Sequence, residues 1–245
     1  MTPYFYLLVN LGCFLVPFLF SFHPRLQFIR HIKATIAGIV VMMLLFIPWD
    51  IYFTAQGVWG FNDKYTIGWK VAGLPLEEYL FFICIPYACL FTYHCFQVLI
   101  QKLKGEKFYR MLSWFMAVIF LLVAITHMGK AYTFTAHLLA AIFLFVHLFI
   151  FRVEYLHRFM HMFVIILIPF IASNGVLTGI TFWEYPFINV HPEQITEKIV
   201  WYNQEENTGI RIFSMPVDDI AYGLLMLLLS VTVYEKVKSK SALSA

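Results

Sequence analysis

Two short segments concentrate the acidic side chains best placed to do chemistry: Pro75-Leu76-Glu77-Glu78 and Pro216-Val217-Asp218-Asp219. Adjacent carboxyl groups suit proton chemistry, in which one group gives a proton and another takes one. The same pattern is also a sound helix start, because proline fixes φ and acids meet the positive end of the helix dipole. Two features raise these segments above simple caps: the pair occurs twice, and each copy stands at the edge of a long apolar run. A charge at the centre of a bilayer costs about 2.5–3.5 kcal/mol, so such groups face a bundle interior or a cavity. Helical neighbours diverge by about 100°, so one member of each pair can point inward. Two inward carboxyls in a partly dry cleft raise each other's proton affinity, against the opposing pull of the helix N-termini, and one can stay protonated as a general acid.

The elements that must position them are membrane helices. The 245 residues are 61% apolar and only 13% charged, against about 45–50% and 25% in a soluble domain. With a mean hydropathy of +0.77 and 28.7 kDa, these residues have room for roughly six to eight spans of about 20 residues and for no separate soluble catalytic or nucleic-acid-binding domain. The net charge of +3 comes from short basic clusters between apolar runs, which set orientation rather than bind nucleic acid. Seven apolar stretches stand out: 3–22, 33–49, 76–99, 112–128, 132–151, 159–179 and 216–234. The first lacks the basic start and cleavage site of a signal peptide and is expected to be retained as a span.

Alternating sides gathers 12 of the 17 Lys and Arg on one face: Arg25, Arg30, Lys33, Lys102, Lys104, Lys107, Arg110, Arg152, Arg158, Lys236, Lys238 and Lys240. Of the 14 acids only Glu106, Glu154 and Glu235 share that face. The basic face is therefore expected in the cytoplasm, with the N-terminus outside and the C-terminus inside.

Two long polar connections, 50–75 and 180–215, fall on the acidic outer face and share an order of landmarks. Trp49-Asp50 answers Trp183-Glu184, Val58-Trp59 answers Val200-Trp201, and Gly68 stands seven residues before Pro75 as Gly209 does before Pro216. This order argues for an internal duplication. The expected fold is an all-α membrane protein of seven helices. Residues 1–110 form one three-helix repeat, 111–130 a linker helix and 131–245 the second repeat, parallel to the first.

Other chemistries lack their residues. His157 and His161 have metal-ligand spacing but no supporting cluster, and His94, His127, His137 and His147 are dispersed as packing residues. Cys13, Cys84, Cys89 and Cys95 lie in apolar runs without paired spacing. There is no dinucleotide or P-loop motif, no Asp-rich diphosphate site and no lysine in the last span; no metal and no cofactor is expected. Gly175 and Gly179 suggest close helix packing. Acids without a metal, nucleotide or nucleophile leave proton transfer to a lipid-soluble substrate.

The segments PWDIYFTAQGVWGF (Pro48–Phe61) and GLPLEEYLFF (Gly73–Phe82), with a degenerate second copy ending in FSMPVDD (Phe213–Asp219), resemble the membrane lycopene cyclases. That family occurs as two three-span subunits or as one fused chain, and this sequence resembles the fused form. The resemblance implies redox-neutral cyclisation of the linear carotene lycopene to β-ionone-type rings, without the FAD-binding fold of unrelated cyclases. It carries the catalytic role of the family's Pro-x-Glu-Glu acids onto Glu77 and Glu78, with Asp218 and Asp219 as the departing second copy. Carotenoid-pathway enzymes are the implied partners, since some relatives are joined to a phytoene synthase.

Such a reaction needs a neutral acid in a dry pocket, a base to collect a ring proton, and aromatic faces for the passing cation. Trp49, Trp59, Tyr79, Phe81, Phe82, Trp183 and Tyr222, with Asp50 and Glu184, are the candidate substrate contacts. The competing functions are a magnesium-dependent, prenyltransferase-like enzyme and a non-catalytic carotenoid or quinone carrier, to which buried carboxylates would bring nothing. A reporter fused to the C-terminus is expected to be active only inside the cell; activity only outside contradicts the seven-span orientation.

Overall fold

The computed structural model describes residues 2–100, 105–151 and 153–243, with side chains as far as Ser239. Of the basic-face residues, Lys102, Lys104, Arg152 and the Lys240 side chain lie outside the described residues. Among the described residues, seven helices are long and apolar enough to cross a membrane: α1 (Phe5–Phe20), α2 (Ile32–Ala55), α3 (Leu76–Leu99), α4 (Glu106–Thr126), α5 (Ala131–Phe145), α6 (Tyr155–Thr178) and α7 (Asp218–Leu243). A bilayer core offers backbone groups no water, so each apolar run closes its own hydrogen bonds as a helix. A π-helical turn, Val146–Phe151, extends α5.

Several boundaries differ from the apolar pattern. α2 continues through Pro48 to Ala55, placing Trp49 and Asp50 inside the helix rather than in the connection. One lost backbone bond at proline is cheaper there than freeing the remaining carbonyls. α4 and α6 begin at Glu106 and Tyr155, upstream of the apolar stretches, because polar residues extend a helix freely into water. The prolines of the two acid segments do not open helices: Pro75 ends strand β3 (Leu74–Pro75) and Pro216 ends strand β7 (Met215–Pro216).

α7 lies at the centre, packed along α2, α5 and α3, while α1 packs on α3, α6 on α3, and α4 on α5 and α6. Leu8, Leu44, Leu45 and Ile168 point outward, exposed. Lipid tails are as apolar as leucine, so helices here associate through close packing. Gly38 on α2 illustrates it, since a Cβ there would stand 2.7 Å from the Ser230 carbonyl oxygen of α7. Gly175 and Gly179 do not mark a helix–helix crossing. Their missing Cβ atoms make room for Phe182 at 2.8 Å and Ser214 at 2.7 Å, both from the second long connection.

The two long connections are not purely irregular, which departs from an all-α chain. Antiparallel β1 (Trp59–Phe61) and β5 (Val200–Tyr202) join them, pairing Trp59 with Tyr202, Gly60 with Trp201 and Phe61 with Val200. β2 (Lys70–Val71) and β3 form one hairpin; β6 (Arg211–Ile212) and β7 form the other, with β4 (Ile188–Asn189) alongside β6. Backbone groups in the connections must find partners, and short ladders supply them.

Gly38→Val is expected to lower stability by about 1–3 kcal/mol through overpacking against backbone. Gly12→Ala, where a Cβ meets no atom within 4 Å, should not destabilise. Thermal unfolding of the two purified variants in detergent checks this; equal melting temperatures contradict the α2–α7 contact.

Candidate active site

Glu78 sits in the first turn of α3 and Asp219 in the first turn of α7. Asp50 projects from α2, five residues before its last residue, Ala55. All three are buried, and all three line one cleft bounded by the helices and the β1–β5 pair. Its cavity volume is about 50 Å³. Phe61, Phe81, Phe170, Leu177, Val200 and Met226 make the rest of its wall mostly apolar.

Each carboxyl group has its own donors. The Tyr6 hydroxyl, from α1, donates to Glu78 Oε2. The Tyr132 hydroxyl, from α5, donates to Asp219 Oδ1 at 2.5 Å. Asn174 Nδ2, from α6, donates to Asp219 Oδ2 at 2.6 Å, and the Tyr202 hydroxyl reaches the same oxygen at 3.3 Å. Trp59 Nε1 donates to Asp50 Oδ1 at 2.5 Å, while Asp50 Oδ2 has no partner. Buried carboxylates without such donors would cost several kcal/mol each.

The other member of each pair turns away from the cleft. Glu77 Oε1 accepts from the Ile67 backbone N–H at 2.6 Å, and Asn10 Nδ2 donates to the Glu77 carbonyl at 2.8 Å. Asp218 Oδ1 accepts from Thr133 Oγ1 at 2.6 Å; its Oδ2 accepts from Thr208, through the backbone N–H at 3.2 Å and Oγ1 at 2.7 Å. Glu77 and Asp218 therefore clamp their own connections to the helix starts.

Aromatic rings crowd the cleft. Trp59 lies 5.1 Å from Tyr132, 6.1 Å from Tyr202 and 6.2 Å from Tyr222, with interplanar angles of 76°, 60° and 80°. Gly60 allows this crossing of strands, because a Cβ there would meet the Trp201 ring at 2.4 Å.

Of the expected substrate contacts, Asp50, Trp59, Phe81 and Tyr222 line the cleft. Trp49 stands behind Tyr222, with ring centroids 5.2 Å apart. Phe82 packs deeper against Phe46. The Tyr79 hydroxyl donates to the Val71 carbonyl at 2.9 Å, outside the cleft. Trp183 and Glu184 occupy an exposed turn and do not line it. The group that α6 contributes is instead Asn174, four residues before its last residue, Thr178.

Tyr6, Tyr132, Asn174 and Tyr202 are site residues that composition and motif spacing passed over. Signals existed: Tyr6 and Tyr132 are each the second residue of a helix, and Asn174 is a carboxamide inside an apolar run. Such a group must be hydrogen-bonded. At the rim, burial pushes the Tyr202 hydroxyl well above its ordinary pKa, helped by the Asp219 charge. Arg211 on β6 is buried too; desolvation pulls its pKa down while Asp219 holds it up.

Comparison with known proteins agrees with this architecture. The lycopene cyclase family model matches residues 3–96 and 129–237. A bifunctional lycopene cyclase/phytoene synthase of Neurospora crassa is 30% identical over 66 residues, a stretch covering 27% of this chain and 11% of the fungal protein. No solved structure matches. Because the family match runs through both acid pairs, both tyrosine-bearing helices and both long connections, the chain belongs to the lycopene cyclase family.

Proposed function

We propose that this protein is a lycopene β-cyclase that closes the ends of a linear carotene by proton transfer within the cleft, with Glu78, Asp219 and Asp50 as its working carboxyl groups. The observation that carries this reading is their convergence, from three helices, on one apolar aromatic-walled cleft. Carboxyls sharing a water-poor space do not all remain charged, so a neutral acid is at hand. A proton delivered to a terminal alkene starts ring closure. The cation then passes near Trp59, Tyr132 and Tyr222, whose faces favour positive charge. A neighbouring carboxylate collects the ring proton. Nothing is oxidised or reduced, in keeping with isomerisation. The family membership supports carotene cyclisation in general; β-type rings and the division of roles are the finer part of the proposal.

We further infer that the site descends from duplication of three helices. Ile67–Glu77 and Thr208–Asp218 are backbone-to-carboxylate bonds of the same span. Asn62 and Asn203 cap matching turns, Tyr6 and Tyr132 serve matching acids, and the hairpins pair Lys70 with Pro75 and Arg211 with Pro216. One offset relates the connections, and it carries Gly60 onto Trp201 and Phe61 onto Tyr202. Trp59 therefore answers Val200 rather than Trp201, one residue off the match made by dipeptide likeness. The family match omits residues 97–128, which contain α4, in keeping with a linker between repeats 1–110 and 131–245. The acidic connections would face outward and the basic ones the cytoplasm, by the distribution of Lys and Arg.

Pigment analysis in lycopene-accumulating cells tests the function. The wild-type chain is expected to convert lycopene to ringed carotenes. Glu78→Gln should reduce conversion by about 10²-fold or more, the usual weight of a positioned acid. Glu77→Gln, which keeps an oxygen for Ile67, should retain most activity. Unchanged lycopene with wild-type protein in the membrane contradicts the function, and loss in Glu77→Gln together with retention in Glu78→Gln contradicts the assignment.

A further inference from the structure

The cleft is lopsided in charge, although its two acid-bearing helix starts are alike. Asp219 accepts from three side chains: Tyr132, Asn174 and, more distantly, Tyr202. Glu78 accepts from the Tyr6 hydroxyl. Another acid, Asp50, lines the same cleft. Asp50 takes the Trp59 indole N–H, with Thr54 Oγ1 at 3.4 Å, and leaves Oδ2 unpartnered.

Arg211 deepens this asymmetry. It is the buried member of the Lys and Arg among the described residues. Its Nη1 donates to the Ser214 carbonyl at 2.9 Å, its guanidinium stands 5.7 Å from the Tyr202 ring centroid, and its Nε has no hydrogen-bond partner. Tyr202 joins it to Asp219, since the hydroxyl of that same ring reaches Asp219 Oδ2 at 3.3 Å. The residue at the matching place of the other hairpin, Lys70, points to solvent and pairs with Asp63 at 2.7 Å. One side of the cleft thus has a full set of donors, with a buried cation behind Tyr202; the other has two acids and few donors.

We propose that Arg211 sets the direction of proton flow, holding Asp219 as the carboxylate that takes the ring proton and leaving the Asp50–Glu78 pair as the acid that protonates the alkene. This rests on the cyclase reading above and assigns roles within it. A proton leaves the acid pair and forms a C–H bond at the terminal alkene, whose π pair is consumed. The resulting cation is attacked by a second alkene, forming the ring C–C bond and moving the charge onto the ring. A C–H bond beside that charge then breaks, its electrons become the ring double bond, and its proton goes to Asp219. One proton enters and one leaves. Both carboxyl groups return to their starting states by exchange with water between turnovers. Arg211 is a positioning residue in this scheme, acting through Asp219.

The test uses membranes carrying the full chain, incubated in deuterium oxide with unlabelled lycopene, and mass analysis of every carotene recovered. With wild-type protein, deuterium should appear in the cyclic product. Asp219→Asn and Arg211→Gln should start the reaction and fail to finish it, cutting cyclic product at least about tenfold while deuterium enters recovered lycopene as the first cation reverts. Glu78→Gln should leave lycopene unlabelled. Arg211→Lys, which keeps the charge, should restore cyclic product, a rescue that a merely structural role does not require. Unlabelled lycopene from Asp219→Asn and Arg211→Gln, with both proteins present in the membrane, overturns the proposal while the function stands. Labelled lycopene from Glu78→Gln reverses the roles and overturns it equally. Lycopene left unchanged and unlabelled by the wild-type chain removes the cyclase reading and this proposal together.

Discussion

A carboxyl group inside a bilayer has no water to turn to, so the surrounding protein must supply each of its hydrogen bonds. That constraint organises the end of the bundle that carries the acid pairs. Glu78 needs Tyr6, which fixes the start of α1 against α3. Asp219 needs Tyr132 and Asn174, which bring α5 and α6 to α7. Asp50 needs Trp59, which pulls β1 down onto α2. Glu77 and Asp218 close the same circuit from outside, holding the two connections to the helix starts through Ile67 and Thr208. Helix order, strand pairing and the shape of the cleft all meet the same demand.

Within each acid pair the helical turn separates two tasks. The first member faces the connection and the second faces the cleft, a division that follows from the divergence of adjacent side chains. The inward members then differ through their surroundings. Asp219 is ringed by donors, with Arg211 behind the Tyr202 ring, whereas Glu78 accepts from the Tyr6 hydroxyl. Like helix starts can thereby support opposite proton-transfer roles, a common outcome when two carboxyls occupy unlike environments. The aromatic cluster of Trp59, Tyr132, Tyr202 and Tyr222 covers both. It combines hydroxyl donors for the acids with ring faces suited to a cation.

Much of this was legible in the residues. Long apolar runs gave the seven helices because hydropathy is nearly sufficient in a bilayer. The acid pairs and Trp59 stood out by type and spacing. What escaped was tertiary. Trp183-Glu184 looks like Trp49-Asp50, yet α2 continues five residues beyond Asp50 to Ala55, whereas α6 ends at Thr178, before that dipeptide, so like words occupy unlike places. Asn174 was hidden because a carboxamide carries no charge to draw notice. Arg211 and Lys70 are indistinguishable as loop cations, and only packing turns one inward and the other to Asp63. Gly175 and Gly179 announced close approach correctly but not its partner, which is the connection rather than a helix.

The protonation of the cleft can be observed without turnover. Infrared spectra of the full chain reconstituted in lipid at neutral pH, recorded in ordinary and heavy water, separate protonated carboxylic acids from carboxylates by their carbonyl bands. A protonated-carboxyl band that persists in Asp219→Asn and disappears in Glu78→Gln is the expected result. A spectrum with no such band, or one whose band survives Glu78→Gln and vanishes in Asp219→Asn, contradicts the central claim that this cleft stores its proton on the Asp50–Glu78 side.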